Sequence, residues 1–245
     1  MVPDLEGRKI VVTGAGNGIG LAAARRLVAL GASVALIDRD RAALDAVAVA
    51  PGMAKIVCDI SVAEEVERAA KEAESALGGV DGLVNAAGVL VQGSLDELSL
   101  DQWARSLKVN LLGAVLMCKF LAESLKRAGF ATIVNVASVG ALRPAKGVSA
   151  YSAAKAGLLM FSKCMAVELA PTIRVNAVCP GTIETAMTHG LLADPAIRER
   201  LAGGNALGRL GAADEIADVI AYLSGPASSY VNGATVVVDG GSTWL

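Results

Sequence analysis

Along this chain, short runs that are apolar at every position alternate with longer stretches whose apolar residues recur every three to four positions. The short runs fall at 9–13, 33–37, 54–58, 82–84, 132–136, 174–177 and 235–238. A strand that is apolar on both faces needs cover on both faces, as in a parallel sheet between helical layers. The periodic stretches predict helices over 19–30, 41–49, 63–77, 100–128, 150–169 and 214–223. Strand and helix alternate, so the pattern predicts an α/β fold built on one doubly wound parallel sheet of about seven strands. The stretch 186–201 has helical period but no strand partner, and a lid over 186–209 is expected. Ser61 followed by Glu64 predicts a capping box at the start of the third helix. Ligands of such sheets bind at the carboxyl ends of the strands.

Composition narrows this picture. The chain has 245 residues, 54% of them apolar and 19% charged, with mean hydropathy +0.54. No linker, repeat or low-complexity tract divides it, so a single domain over 1–245 is expected. The longest uncharged run, 219–238, is long enough to span a membrane. Ser224-Gly225-Pro226 and Asn232-Gly233 interrupt it, so it reads as helix, loop and strand. The opening MVPDLEGRK lacks the basic and apolar regions of a signal peptide, so a soluble, cytoplasmic protein without membrane contact is expected. A net charge of −2 leaves no basic footprint for nucleic acid. The cysteines Cys58, Cys118, Cys164 and Cys179 lack metal or redox spacing, and with His189 the only histidine no metal site is expected.

Two clusters of residues carry chemistry. Tyr151 and Lys155 lie four residues apart in a helical stretch, which stacks phenol and ammonium on one face. A nearby ammonium favours phenolate, which can accept a proton from an alcohol. A free tyrosine near pKa ~10 is about three units too weak an acid for neutral pH, a gap of roughly 4 kcal/mol. Ser138 follows the fifth apolar run, where its hydroxyl could hold a substrate oxygen. The other cluster begins where the first strand runs into Thr13-Gly14-Ala15-Gly16-Asn17-Gly18-Ile19-Gly20 and then a helix. Such glycines let backbone approach a pyrophosphate at a helix N-terminus. Asp38 ends the second strand, where a carboxylate can accept both adenosine ribose hydroxyls and repel a 2′-phosphate. A strand-end or capping aspartate is the plain alternative. Arg39 beside it could neutralise a 2′-phosphate, so NAD is expected over NADP without excluding the latter. Asp59, closing the third strand, could accept the adenine amino group or simply cap the next helix.

In order and spacing the chain resembles the short-chain dehydrogenases/reductases. The residues that carry the resemblance are Thr13-Gly14-x-x-x-Gly18-x-Gly20, Asn85-Ala86-Ala87-Gly88, Asn110, Ser138, Tyr151-x-x-x-Lys155 and Pro180-Gly181. It extends to the ending Asp239-Gly240-Gly241. It implies a Rossmann-like fold and hydride transfer between a nicotinamide cofactor and a secondary alcohol or ketone, with a homotetramer as the assembly. Asn110 would disturb its helix and support a water relay to Lys155. Ser138 would bind the substrate oxygen, and Tyr151 would be base in oxidation and acid in reduction. Lys155 would hold the nicotinamide ribose while lowering the tyrosine pKa. The implied cofactor contacts are Gly14, Asn17, Gly18, Ile19, Gly20, Asp38, Arg39, Asp59, Ile60, Asn85, Ala86, Gly88, Tyr151, Lys155, Pro180, Gly181, Ile183 and Thr185.

The substrate is less constrained. Segments 89–94, 139–148 and 186–209 are expected to line its cleft, with Arg143 either meeting a carboxylate or solvated. A small hydroxy acid, a polyol or a cyclic alcohol or dihydrodiol all suit it. A 3-oxoacyl-carrier-protein reductase, a catalytically silent nucleotide-binding regulator and a methyl transferase are the competing readings.

Overall fold

The computed structural model describes residues 4–48 and 50–244. Among them lie β1 (Lys9–Thr13), α1 (Gly18–Ala29), β2 (Ser33–Asp38), α2 (Arg41–Ala46), β3 (Met53–Val57), α3 (Ala63–Leu77) and β4 (Gly82–Asn85). There follow α4 (Leu100–Leu107), a π-helical turn (Lys108–Leu112), α5 (Gly113–Arg127), β5 (Ala131–Val136), α6 (Ser149–Glu168) and β6 (Ile173–Pro180). The last elements are α7 (Ala186–Leu192), α8 (Pro195–Gly203), α9 (Ala213–Ser224) and β7 (Thr235–Val238).

The strands form one parallel sheet in the order β3-β2-β1-β4-β5-β6-β7. From β1 the chain moves outward to β2 and β3, then crosses back to β4 on the other side of β1, so a crevice opens above the carboxyl ends of β1 and β4 where the winding reverses. The two sides of the sheet carry separate cores. Ile10, Val12 and Leu36 pack with Leu27 of α1 and Ile220 of α9, while Val11, Ile37 and Ile133 pack with Val66 of α3 and Leu121 of α5. The unbroken apolar runs are therefore buried on both faces, as their composition requires.

Three local expectations need correction. The single helix expected over 100–128 is interrupted by the π turn around Asn110. The stretch expected as one lid helix is two, because Asp194 accepts from the backbone N–H of Ala196 (2.9 Å) and Pro195 opens α8. The Ser61–Glu64 capping box does not form: Val62 is the N-cap residue and the Ser61 hydroxyl donates to Asp59 Oδ1 at 2.7 Å. Glu65 instead accepts from the Asp59 N–H at 2.9 Å. The short side chain of Ser61 finds its partner two residues back before the helix begins. Val49, the expected end of the second helix, lies outside the described residues. No helix among the described residues is long and apolar enough to cross a membrane.

Candidate active site

The crevice is floored by the glycine loop between β1 and α1. Gly14 and Gly18 adopt φ of 67° and 54°, which side chains disfavour. A Cβ on Gly20 would stand 2.1 Å from the Gly14 carbonyl oxygen, so α1 begins pressed against the loop. Asn17 is the N-cap residue but its side chain makes no capping bond, leaving the first N–H groups of α1 for a ligand. Gly14, Asn17, Gly18, Ile19 and Gly20 all line the cleft.

Asp38, Arg39, Asp59 and Ile60 line its far end. Asp38 is fixed in place by the loop it faces: Oδ2 accepts from Gly16 N–H at 2.9 Å and Oδ1 from Asp40 N–H at 3.0 Å. Burial acts to raise the Asp59 pKa, but bonds from Ser61 and the charges of Arg39 and Arg105 outweigh it, and the carboxyl sits below its ordinary value. Ala86 and Gly88 form the opposite wall with Ala87, whose N–H and that of Ala86 donate to Thr13 Oγ1 at 3.2 and 3.1 Å. These features fit a dinucleotide: close backbone at a free helix N-terminus, and a rigid carboxylate at the end of β2.

Four expected cofactor residues, Asn85, Pro180, Gly181 and Ile183, stand outside this cleft. The Asn85 amide is buried, donating to Asn135 Oδ1 at 2.8 Å across the sheet rather than reaching into the cleft. Gly181 and Ile183 border a second cavity between the loop after β6 and the C-terminal segment, and the Ile183 carbonyl accepts from Thr188 Oγ1 at 2.7 Å. Pro180 is buried as the last residue of β6. Thr185 does line the cleft, and a Cβ on Gly18 would lie 3.3 Å from it, so the start of α7 overhangs the glycine loop.

The tyrosine end is assembled by β5 and α6. Ser138 stands two residues after the end of β5 and its Oγ accepts from Gly140 N–H at 3.0 Å, leaving the hydroxyl proton to be donated to Tyr151 or to a ligand. A Cβ on Gly140 would lie 3.4 Å from Ser138 Oγ and 3.6 Å from Tyr151 Cε1, which places serine and tyrosine around one small space. Lys155 Nζ lies 5.9 Å from the Tyr151 ring centre and donates to the Val136 carbonyl at 2.7 Å. Lys155 is 3% exposed, and burial lowers its pKa to about 8. Burial also raises the Tyr151 pKa, and the bond with Ser138, which lowers it, does not compensate. In the protein alone, burial of the phenol therefore outweighs the lowering that hydrogen bonding supplies.

Asn110 sits in the π turn, a distortion that recurs at functional sites. Its Oδ1 accepts from Val89 N–H at 3.0 Å, while Nδ2 donates to the Val89 carbonyl at 2.9 Å and Ser106 Oγ at 3.2 Å. A Cβ on Gly88 would fall 3.0 Å from Asn110 Oδ1 and 3.6 Å from Lys155 Nζ, so these two groups converge on Gly88 and a side chain there would crowd the Asn110 oxygen. Met187, within the segment expected as lid, lines the cleft, and so does Val109, which nothing in its sequence context distinguishes from a core residue. Exposed His189 lies on α7, and Arg143 donates to the Ser242 carbonyl, tying the serine loop to the C-terminal segment.

Residues 14–243 match a family profile described as Enoyl-(Acyl carrier protein) reductase. Meso-2,3-butanediol dehydrogenase of Serratia marcescens is 41% identical over 243 residues, covering 97% of this chain and 95% of that protein. 3beta-hydroxysteroid dehydrogenase 1 of Eggerthella lenta is 37% identical, covering 99% and 96%. A solved short-chain dehydrogenase/reductase from Brucella melitensis, titled glucose/ribitol dehydrogenase, superposes with TM-score 0.94 at 38% identity over 100% of both chains.

Proposed function

The chain belongs to the short-chain dehydrogenase/reductase family and interconverts alcohols and ketones with a nicotinamide nucleotide; we propose that it is an NAD-dependent dehydrogenase of small secondary alcohols. The convergence of Ser138, Tyr151 and Lys155 beside a cleft that ends at Asp38 carries this reading. When bound, the nicotinamide supplies the hydride acceptor or donor. Ser138, held by the bond its Oγ accepts from Gly140, donates its hydroxyl proton to the substrate oxygen. Tyr151 moves the proton. At neutral pH it is a neutral phenol, ready as general acid for ketone reduction. As base for oxidation it requires added positive charge in the site. Lys155 holds the nicotinamide ribose, and Asn110 supports the proton path behind it. Asp38 receives the adenosine ribose hydroxyls and repels a 2′-phosphate, which favours NAD over NADP.

The remaining cofactor contacts follow the cleft. Gly14, Asn17, Gly18, Ile19 and Gly20 take the pyrophosphate side, Arg39, Asp59 and Ile60 the adenosine side, and Ala86, Gly88 and Thr185 the walls. Pro180, Gly181 and Ile183 act through backbone at the nicotinamide, and Asn85 by bracing β4. Residues 1–245 act as a single catalytic domain, with 186–209 as the lid. The diol named in the Serratia relative and the sugar alcohol in the Brucella title favour a small polyol or hydroxy compound. The exposed face of α6 carries Met160 and Val167, 60% and 80% exposed, and supports subunit packing into a homotetramer; a cytoplasmic location is part of the same proposal.

The family profile's description favours a second reading, a carrier-protein reductase. Asp38 opposes it where such a reductase would use NADPH. An absorbance screen with NAD and NADP across hydroxy acids, polyols, cyclic alcohols, dihydrodiols and a 3-oxoacyl carrier separates the two. Turnover of an alcohol with NAD is expected; activity confined to the acyl carrier with NADPH would overturn the proposal.

A further inference from the structure

A chain of buried polar side chains crosses from β4 through β5 to α6. Asn85 Nδ2 donates to Asn135 Oδ1 at 2.8 Å, Asn135 Nδ2 donates to Ser162 Oγ at 2.8 Å, and Ser162 Oγ donates to the Leu158 carbonyl at 2.7 Å. Asn85, Asn135 and Ser162 are 4%, 0% and 2% exposed. The direction of the chain is forced. Ser162 spends its proton on its own helix, so it can only accept from Asn135, and this turns the Asn135 oxygen toward Asn85. Asn85 must then present its NH2 group, and its Oδ1 is left buried without a partner.

An orphaned buried acceptor lowers stability, whereas apolar side chains of similar volume would not. What the polar chain supplies instead is register. Lys155 and Ser162 lie seven residues apart on α6, two turns along one stripe, about 10 Å apart along the axis. They attach to adjacent residues of β5, Lys155 to the Val136 carbonyl and Ser162 to the Asn135 amide. Two residues further along the chain is Ser138. The Lys155 attachment involves a titrating group with pKa about 8. The Ser162 attachment does not titrate, and through Asn135 and Asn85 it reaches the strand that leads into the cleft wall at Ala86.

We propose that Asn135 and Ser162 are positioning residues, pinning α6 against β5 so that Tyr151 and Lys155 meet Ser138 and the cofactor cleft in register. The inference rests on the dehydrogenase reading above. Misplacing reacting groups by an ångström costs on the order of 10²-fold in rate, and loss of one pin of two is a smaller perturbation. Ser162→Ala, which removes one oxygen atom, should therefore lower kcat about tenfold with little change in the KM for NAD. It should also shift the pH midpoint of kcat, since Tyr151 and Lys155 change surroundings together. Ser162→Thr, which keeps the hydroxyl, should restore both the rate and the midpoint. Ser162→Cys, nearly isosteric but a poor acceptor, should behave as the alanine variant and stands in for it should that variant not fold. Native rate and native pH midpoint in both the alanine and cysteine variants would overturn the inference while leaving the dehydrogenase reading intact. Equal impairment in the threonine variant would also overturn it, by assigning the effect to volume. Absence of turnover in the native enzyme across the alcohol screen would sink the dehydrogenase reading itself.

Discussion

Lys155→Met removes a buried ammonium and keeps the length of the side chain. Folding takes the lysine from pKa 10.5 to about 8 because burial strips water from the charge. At about 1.4 kcal/mol per unit, the charged form is disfavoured by roughly 3 kcal/mol wherever both folded and unfolded chains hold the proton, which is below the folded value. As pH rises through the window from about 8 to 10.5, the folded lysine has lost its proton and the unfolded one has not, so stability increases and the handicap disappears above the window. The methionine variant has no such group. It does lose the bond to the Val136 carbonyl, which as a charged hydrogen bond contributes about 1.5–3 kcal/mol. Near neutral pH the two effects nearly cancel, so deleting this buried residue should leave the apo protein about as stable as native. Between about pH 7 and about pH 9.5 the native protein should then gain about 2 kcal/mol relative to the variant. For a chain of this length that is a relative rise in Tm of roughly 4–8 °C. Thermal unfolding of both proteins without cofactor, across that pH range, measures it directly. Parallel Tm–pH curves, or a native protein that loses ground as pH rises, would refute the reasoning.

Other outcomes follow from the same geometry. Asp38→Ala should reduce the NAD over NADP preference in kcat/KM by about 10² or more, since two carboxylate–hydroxyl bonds at about 1.5–3 kcal/mol each are lost; an unchanged ratio would remove Asp38 from its ribose role. Arg174 is buried, donates to the carbonyls of Leu223, Gly225 and Val231, and stacks over Phe130 at the opposite end of the sheet from the site. Arg174→Met should lower stability in urea by about 2–4 kcal/mol, because orphaned carbonyls remain buried, while KM for NAD stays unchanged. Light scattering should give a tetramer mass, and Met160→Glu should reduce it by placing charge on the exposed face of α6; a monomeric native protein would contradict the packing.

Much of this architecture could be read before any coordinates, and the reasons are physical. Strands buried on both faces must be apolar throughout, so β1, β5 and β6 announce themselves in the sequence. The glycine loop is legible because a side chain on Gly20 would strike the Gly14 carbonyl, and no other residue solves that problem. Tyr151 and Lys155 are legible because helical spacing alone brings them together. Other features depend on partners distant in sequence. The split of the lid could have been found in Asp194-Pro195, a capping residue followed by proline, but period alone masks it. Ser61 fits the capping pattern yet turns to Asp59, a choice made by the chain entering the helix. Asn85 looks like a cleft residue and faces the core, because its partner Asn135 is brought opposite it by the register of β4 and β5. The rise in the Tyr151 pKa depends on how deeply the phenol is buried, which residue spacing does not encode.

The central claim, that Tyr151 carries the proton as hydride is transferred, is tested most directly by comparing Tyr151→Phe with native enzyme. The measurement pairs the initial rate of nicotinamide reduction by a secondary alcohol with the Kd for NAD. Turnover should fall by at least about 10²-fold, the usual contribution of a positioned acid or base, while the Kd stays within about twofold, since the ring remains and only one oxygen is lost. A phenylalanine variant that still oxidises the alcohol at a rate close to native would contradict it.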